Sequence, residues 1–239
     1  MVDKIFVLNL RERVDRKESL TSLLKKHRMF DITEWVHGIN GHHLLHEPNP
    51  RNVLAEYNFM WHWQVNPDTR FKSDFEHYKK QNLITSRNEL AVSLGHIKMW
   101  RTFLKSGAES ALFLEDDALF GKGIKKKITS IMKDLPEDWD MVYLSAYKSP
   151  FGGYDAEEYS DELDILNFGV FWLSGYILSK QGVKKLLAKR PVKGPVDVWI
   201  NHQFKDMNVF ITTGDLPITQ SNYFGDSNNN YSWESRFWT

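Results

Sequence analysis

The sequence predicts an α/β sandwich, and three observations carry that expectation. Short continuous apolar runs, such as Lys4-Ile5-Phe6-Val7-Leu8-Asn9-Leu10 and Ala111-Leu112-Phe113-Leu114, read as strands buried on both faces. Between them lie segments whose apolar residues recur at helical spacing. The chain opens strand, charged loop, helix, strand, which is the start of a layered α/β domain. At 239 residues it is long enough for one large domain, 1–239, with its own core.

The elements follow in order. Ile5 to Leu10 is the first strand, and Arg11-Glu12-Arg13-Val14-Asp15-Arg16 is a charged loop. Leu20, Leu23 and Leu24 mark an amphipathic helix over about 15–28, and Ile32 to Val36 is a second strand. Residues 38–83 lose any clean period. They hold Pro48, Pro50, Pro67, a histidine group (His42, His43, His46) and Trp61-His62-Trp63, so 41–80 reads as a rim insertion. Helical periodicity returns over 87–105 through Leu90, Leu94, Ile97, Trp100 and Leu104. Ala111 to Leu114 is a buried strand that runs into Glu115-Asp116-Asp117. A helix over 122–134 presents Ile124, Ile128, Ile131 and Met132, and a strand covers Asp140 to Leu144. Phe168 to Ser179 reads as an apolar strand region and Ser179 to Ala188 as a helix. Pro195 suits the start of a helix over Asp197 to Lys205, and Asn208 to Thr213 is a late strand. The tail from Asn222 reads as irregular.

Composition removes several function classes. Lys plus Arg is 31 and Asp plus Glu is 31, so bulk electrostatic binding to nucleic acid or anionic lipid is not the main activity. With no cysteine, disulfides, zinc-thiolate sites, iron–sulfur clusters and a cysteine nucleophile are excluded. No run approaches the roughly eighteen apolar residues of a membrane span. Met1-Val2-Asp3-Lys4 has an acid where a signal peptide carries basic residues, so the expectation is a cytoplasmic protein whose Asn230-Tyr231-Ser232 sequon is never glycosylated. No Walker loop and no Gly-x-Gly-x-x-Gly follows a strand.

The chemistry gathers at a few places. Glu115-Asp116-Asp117 closes an apolar strand, where three acids are costly without a cation or hydrogen bonds. Strand alternation puts Glu115 and Asp117 on one face, able to hold a hard divalent ion, with Asp116 turned elsewhere. The competing reading is a helix cap with a first-turn acid. Arg13 and Arg16 lie between a strand end and a helix start, where anions are favoured; the alternative is a solvated turn with Asp15 as cap. His96 sits beside the apolar stripe of its helix, a position that suits a satisfied semi-buried side chain. Asp197 and His202 are five apart, each a base or ligand, or a cap and a surface residue. The histidines at 37, 42, 43 and 46 lack a zinc-type spacing.

Six segments, in order, resemble glycosyltransferase family 25. They are Phe6 to Leu10 with Asn9, Arg13, Asp15 and Arg16; Glu89 to His96 with Trp100; Phe113 to Asp117; Trp139 to Leu144; Gly175 to Ser179 with Gly182, Lys185 and Leu186; and Pro195-Val196-Asp197. Asn88, Ala91, Val92, Gly95 and Ser174 depart from the family pattern. The resemblance implies a GT-A-like, Rossmann-type nucleotide-sugar-binding fold with a mixed central sheet flanked by helices. It implies inverting transfer of a hexose, galactose or glucose, from a UDP-sugar to a hydroxyl on a glycan or a hydroxylysine-type protein acceptor, with Mn²⁺ or Mg²⁺. On that basis Glu115, Asp117 and His202 are assigned to metal, and Asn9, Arg13, Arg16, Glu115 and Asp116 to the nucleotide. Asp197 is the catalytic base, and His96 is an orienting or acceptor contact. Trp61, Trp63 and Trp172 are candidates for stacking on a sugar. Two alternatives stay open: a metal-dependent nucleotidyl- or phosphoryl-transferring enzyme, and an inactive nucleotide- or glycan-binding relative.

Overall fold

A computed structural model of the chain describes residues 1–41, 57–58, 87–148, 154–193 and 195–221. Its elements run β1 (Lys4–Asn9), α1 (Val14–Lys26), β2 (Thr33–His37), β3 (Tyr57–Asn58), α2 (Arg87–Ser106), β4 (Ser110–Glu115), β5 (Ala118–Phe120), α3 (Ile124–Asp134), β6 (Met141–Tyr143), β7 (Tyr147–Lys148) and β8 (Asp155–Glu158). They continue with β9 (Leu163–Phe168), β10 (Val170–Phe171), β11 (Gly175–Ser179), α4 (Lys180–Ala188), β12 (Val192–Lys193), α5 (Val196–Asn201), β13 (Val209–Thr212) and β14 (Ile218–Gln220).

The central sheet has the order β2-β1-β4-β11-β6-β13-β9-β8. It is mixed, as expected: β1 lies parallel to β2 and β4, and β6 parallel to β13, whereas β11 runs antiparallel to both β4 and β6. Alternation along the strands sorts the core into two layers. Ile5, Val7, Leu112, Leu114, Val142 and Ile177 pack with Leu20 and Leu24 of α1 and Ile124, Ile128 and Ile131 of α3. Phe6, Phe113, Tyr143 and Tyr176 face the other way, onto Trp100 and Phe103 of α2, Val183 and Leu186 of α4 and Trp199 of α5. On that side Phe6, Phe113 and Tyr176 stack across β1, β4 and β11, with ring centroids 5.7 and 5.2 Å apart. Gly95 lets α2 close on β1, because a Cβ there would fall 2.8 Å from a Leu8 methyl.

Two expectations change. The run from Phe168 to Ser179 is not one strand, since Gly169 (φ 97°) and Trp172 (φ 71°) take left-handed backbone and interrupt the ladder. Between them β10 pairs with β7 as a separate ribbon outside the main sheet. The helix expected to reach Lys205 stops at Asn201, with only a 3-10 turn at Phe204–Asp206 beyond it. Apart from Gly41 and β3, the 41–80 insertion lies outside the described residues, as do Trp61, Trp63, the 42, 43 and 46 histidines and the tail from Asn222. Among the described residues no helix is long and apolar enough to cross a membrane.

The carboxyl ends of β1, β2, β4 and β6 meet the amino end of β11 at one edge of the sheet. Open α/β sheets bind ligands at such an edge.

Candidate active site

β4 ends at Glu115, and Asp116 and Asp117 form a turn, so strand alternation does not extend through the triplet. The expected pairing of Glu115 with Asp117 on one face is therefore not what forms. Glu115 continues the face of Ala111 and Phe113 toward α2, and Asp116 and Asp117 turn together toward α1.

On the α1 side a buried arginine organises both aspartates. Arg16 Nη1 donates to Asp116 Oδ1 at 2.9 Å and to Asp117 Oδ2 at 3.1 Å. Asn9 Nδ2 donates to Asp116 Oδ2 at 2.8 Å, and Gln220 Nε2 to Asp117 Oδ2 at 3.1 Å. Asp117 Oδ1 is buried and has no hydrogen-bond partner among the described residues. One guanidinium faces two buried carboxylates, with Glu115 close enough to repel. Burial pushes the Asp117 carboxyl up to about 7, with the Glu115 charge adding to the effect. Asp116 is also raised by burial, against the pull of its bonds from Arg16 and Asn9. Arg13 is placed differently from Arg16. Its side chain forks onto Asp15, at 3.0 and 2.9 Å, and its carbonyl accepts from Asn9. Arg13, and not Asp15, occupies the N-cap position of α1, without a side-chain capping hydrogen bond.

On the α2 side the contacts form a continuous buried chain. Trp100 Nε1 donates to the Tyr176 hydroxyl at 3.0 Å, Tyr176 Oη lies 2.7 Å from His96 Nδ1, and His96 Nε2 lies 3.3 Å from Glu115 Oε1. Tyr176 keeps its proton, because burial raises its phenol well above the usual range. The hydroxyl, accepting from Trp100, shares a hydrogen bond with His96 Nδ1, and His96 Nε2 faces the carboxylate. Trp100, Tyr176 and His96 are fully buried, and Glu115, with 24% of its side chain exposed, carries the chain to the surface. His96 thus reaches Glu115 from inside the core and has no surface for an acceptor.

Asp197 lies at the first turn of α5. Its Oδ2 accepts from the Trp172 backbone N–H at 3.1 Å and its Oδ1 from that of Val198 at 2.9 Å. Burial raises its carboxyl against those two bonds, and the charges of Glu115 and Glu89 raise it further. The hydroxyls of Tyr143 and Ser174 are buried without partners among the described residues. His202 follows α5 and stands 6.1 Å, ring to ring, from Phe168. Among the described residues no three His, Asp or Glu side chains converge as a metal-binding group, so His202 is not gathered with Glu115 and Asp117.

A divalent cation is what the family resemblance implies, and the donor set fits one. Both oxygens of Asp116 are already engaged, but Asp117 Oδ1 has no partner, and Glu115 is the part-exposed carboxylate beside it. Mg²⁺ and Mn²⁺ commonly take one or two carboxylates and complete their shell with phosphate and water. Sequence reasoning gave no role to Tyr176, Asn201 and Gln220; Tyr176 lies in the family-like Gly175 to Ser179 segment, and the other two lie in no pattern that signals chemistry.

A family model described as glycosyltransferase family 25 (LPS biosynthesis protein) matches residues 2–200. Procollagen galactosyltransferase 1-B of Xenopus laevis is 23% identical over 229 residues, covering 90% of this chain and 34% of its own length. A Bos taurus protein named probable inactive glycosyltransferase 25 family member 3 is 24% identical, covering 94% of this chain and 38% of its own. The chain thus spans about a third of the length of these curated relatives. The crystal structure of mannose-1-phosphate geranyltransferase from Thermus thermophilus aligns with a TM-score of 0.45 and 12% identity, over 92% of this chain and 76% of that one. With the matching model covering most of its length, the chain belongs to glycosyltransferase family 25.

Proposed function

We propose that this domain is a metal-dependent, inverting hexosyltransferase of GT-A type, moving galactose or glucose from a UDP-sugar to a hydroxyl acceptor on a glycan or a hydroxylysine-type protein. The observation that carries the reading is the unpartnered, buried Asp117 Oδ1 beside Glu115 at the carboxyl edge of the sheet. Glu115 and Asp117 would hold Mn²⁺ or Mg²⁺. When bound, the ion offsets the charge of the diphosphate leaving group.

The chain's own residues supply the rest. Arg16 fixes the carboxylates of Asp116 and Asp117, and Asn9 holds the second oxygen of Asp116. His96, backed by Tyr176 and Trp100, fixes Glu115 through Nε2 and acts as a positioning residue. Asp197, its basicity raised by burial, takes the acceptor hydroxyl proton. The acceptor oxygen bonds to the anomeric carbon as the bond to the diphosphate oxygen breaks on the opposite face, inverting the configuration.

A second reading, a nucleotide-binding relative without turnover, is favoured by one observation. Both Asp197 oxygens already accept main-chain N–H groups, which suits an anchor as well as a base. The name of the Bos taurus relative is in line with that reading.

The test is thermal unfolding with UDP, joined to a UDP-hexose hydrolysis screen with Mn²⁺. UDP should raise the melting temperature only with Mn²⁺ or Mg²⁺ present, and Asp117→Ala should abolish the shift. Slow hydrolysis of one UDP-hexose supports the transferase. A metal-dependent shift with no hydrolysis favours the inactive relative, and a shift that survives Asp117→Ala removes the reading.

A further inference from the structure

Trp172 and Tyr147 form an aromatic pair at the ligand-facing edge of the sheet. Their ring centroids lie 4.8 Å apart, tilted by 31°, and the residues are 43% and 45% exposed. Two things set the pair apart from other exposed apolar side chains. The first is backbone conformation. Trp172 takes φ 71°, a costly position for a bulky residue and one that glycine would adopt freely. Such strain persists only where the surroundings enforce it. The second is the clamp that enforces it. Asn201 Oδ1 accepts from the N–H groups of Gly169 and Val170, and its Nδ2 donates to the Val170 carbonyl. Asp197, one turn earlier on α5, accepts from the Trp172 N–H. Two polar side chains of one short helix thus hold both ends of the 169–172 segment, and the outcome is an indole turned to solvent.

The order of strands says what such a ring could meet. Along the edge come β1 with Asn9, β4 with Glu115 to Asp117, β11 preceded by Trp172 and Ser174, and β6 followed by Tyr147. Trp172 and Tyr147 therefore stand two and three strand positions from β1, beyond the acidic triplet, and Trp172 is tied to Asp197 through its backbone. An aromatic face matches the apolar C–H face of a pyranose, whereas at a site this exposed an ammonium gains only a weak cation–π contact from it. We propose that Trp172 and Tyr147 are the platform for a pyranose ring of the acceptor, so that the acceptor is sugar-terminated and not a peptide hydroxylysine. The inference deepens the hexosyltransferase reading and rests on it for the word acceptor; the platform itself is testable without a donor.

Saturation-transfer NMR on the whole chain tests it, with methyl β-galactoside, methyl β-glucoside and free 5-hydroxylysine as probes, each with and without UDP and Mn²⁺. Ring C–H protons of a glycoside should receive saturation, and hydroxylysine should receive none. Trp172→Ala should weaken glycoside binding about tenfold or more, Trp172→Phe should retain most of it, and UDP affinity should stay within about twofold. Tyr147→Ala, which leaves the left-handed backbone alone, should weaken the glycoside without lowering the melting temperature in the same proportion. Equal glycoside binding by wild type and both alanine variants would overturn the platform. So would preference for hydroxylysine, the absence of glycoside binding to a protein that binds UDP, or a loss of UDP affinity in both variants, which would place the nucleobase there. Failure of the wild type to bind UDP, with Trp172-dependent glycoside binding intact, would remove the transferase reading and leave the sugar platform standing.

Discussion

The two sides of the β4 terminus differ in a way their adjacent sequence positions conceal. On the α1 side Asp116 and Asp117 crowd around Arg16, burial raises both carboxyls, and one oxygen has no partner among the described residues. On the α2 side Glu115 ends a buried chain of Trp100, Tyr176 and His96, each within hydrogen-bond distance of the next. The two environments meet at the end of β4, one residue apart in sequence. The contrast teaches that an acidic motif is not a uniform set of ligands. One side leaves a buried carboxyl oxygen without a partner among the described residues, and the other holds a carboxylate still.

Removing the arginine should break the α1 side most severely. Arg16→Met leaves two buried carboxylates without their guanidinium, and should cost about 3–5 kcal/mol in chemical denaturation. Tyr176→Phe strikes the α2 side. It strands His96 Nδ1 and Trp100 Nε1 and should cost about 1–3 kcal/mol. Its Mn²⁺ affinity in the presence of UDP should also fall, and an unchanged affinity would reduce the chain to a packing device.

Asp117→Asn sharpens the contrast through pH. Because the folded-state pKa is raised to about 7, folding favours the protonated acid. Between the unfolded value near 4 and about 7 the unfolded state binds fewer protons than the folded one, so this group lowers stability as pH rises through that window. The asparagine variant without metal should therefore gain more over wild type at pH 8 than at pH 5, measured by thermal unfolding. A gain independent of pH would show that the carboxyl is not held protonated. The smallest effect belongs to Trp172. Because of its φ of 71°, Trp172→Gly should be about 1 kcal/mol more stable than Trp172→Ala.

Legibility in the sequence followed the kind of signal each residue carries. Strands buried on both faces announce themselves, which is why β1 and β4 were readable from Ile5 to Leu8 and Ala111 to Leu114. The amphipathic α3 was equally plain from Ile124, Ile128 and Ile131. The β5–β14 and β7–β10 pairs have two or three residues a side, too short for any period, and they form only when the edge assembles. Within the site the acidic triplet stood out as three charges after an apolar run. Which acid faces which helix did not, because that depends on β4 stopping at Glu115 rather than at Asp117. His96 read as either an orienting or an acceptor contact, and the sequence had no signal for Tyr176 to choose between them. The tyrosine comes within reach only through antiparallel pairing of β11 with β4, 80 residues from His96.

The central claim is that the α1 side is completed by a cation shared with a diphosphate. Calorimetric titration of Mn²⁺ into protein saturated with UDP, compared between wild type, Asp117→Asn and Glu115→Gln, reads it directly. The account predicts one tight Mn²⁺ per chain in the wild type, with binding weakened at least about a hundredfold in each variant while the fold is retained. Wild-type affinity for Mn²⁺ in both variants, or UDP binding indifferent to the metal, would contradict it.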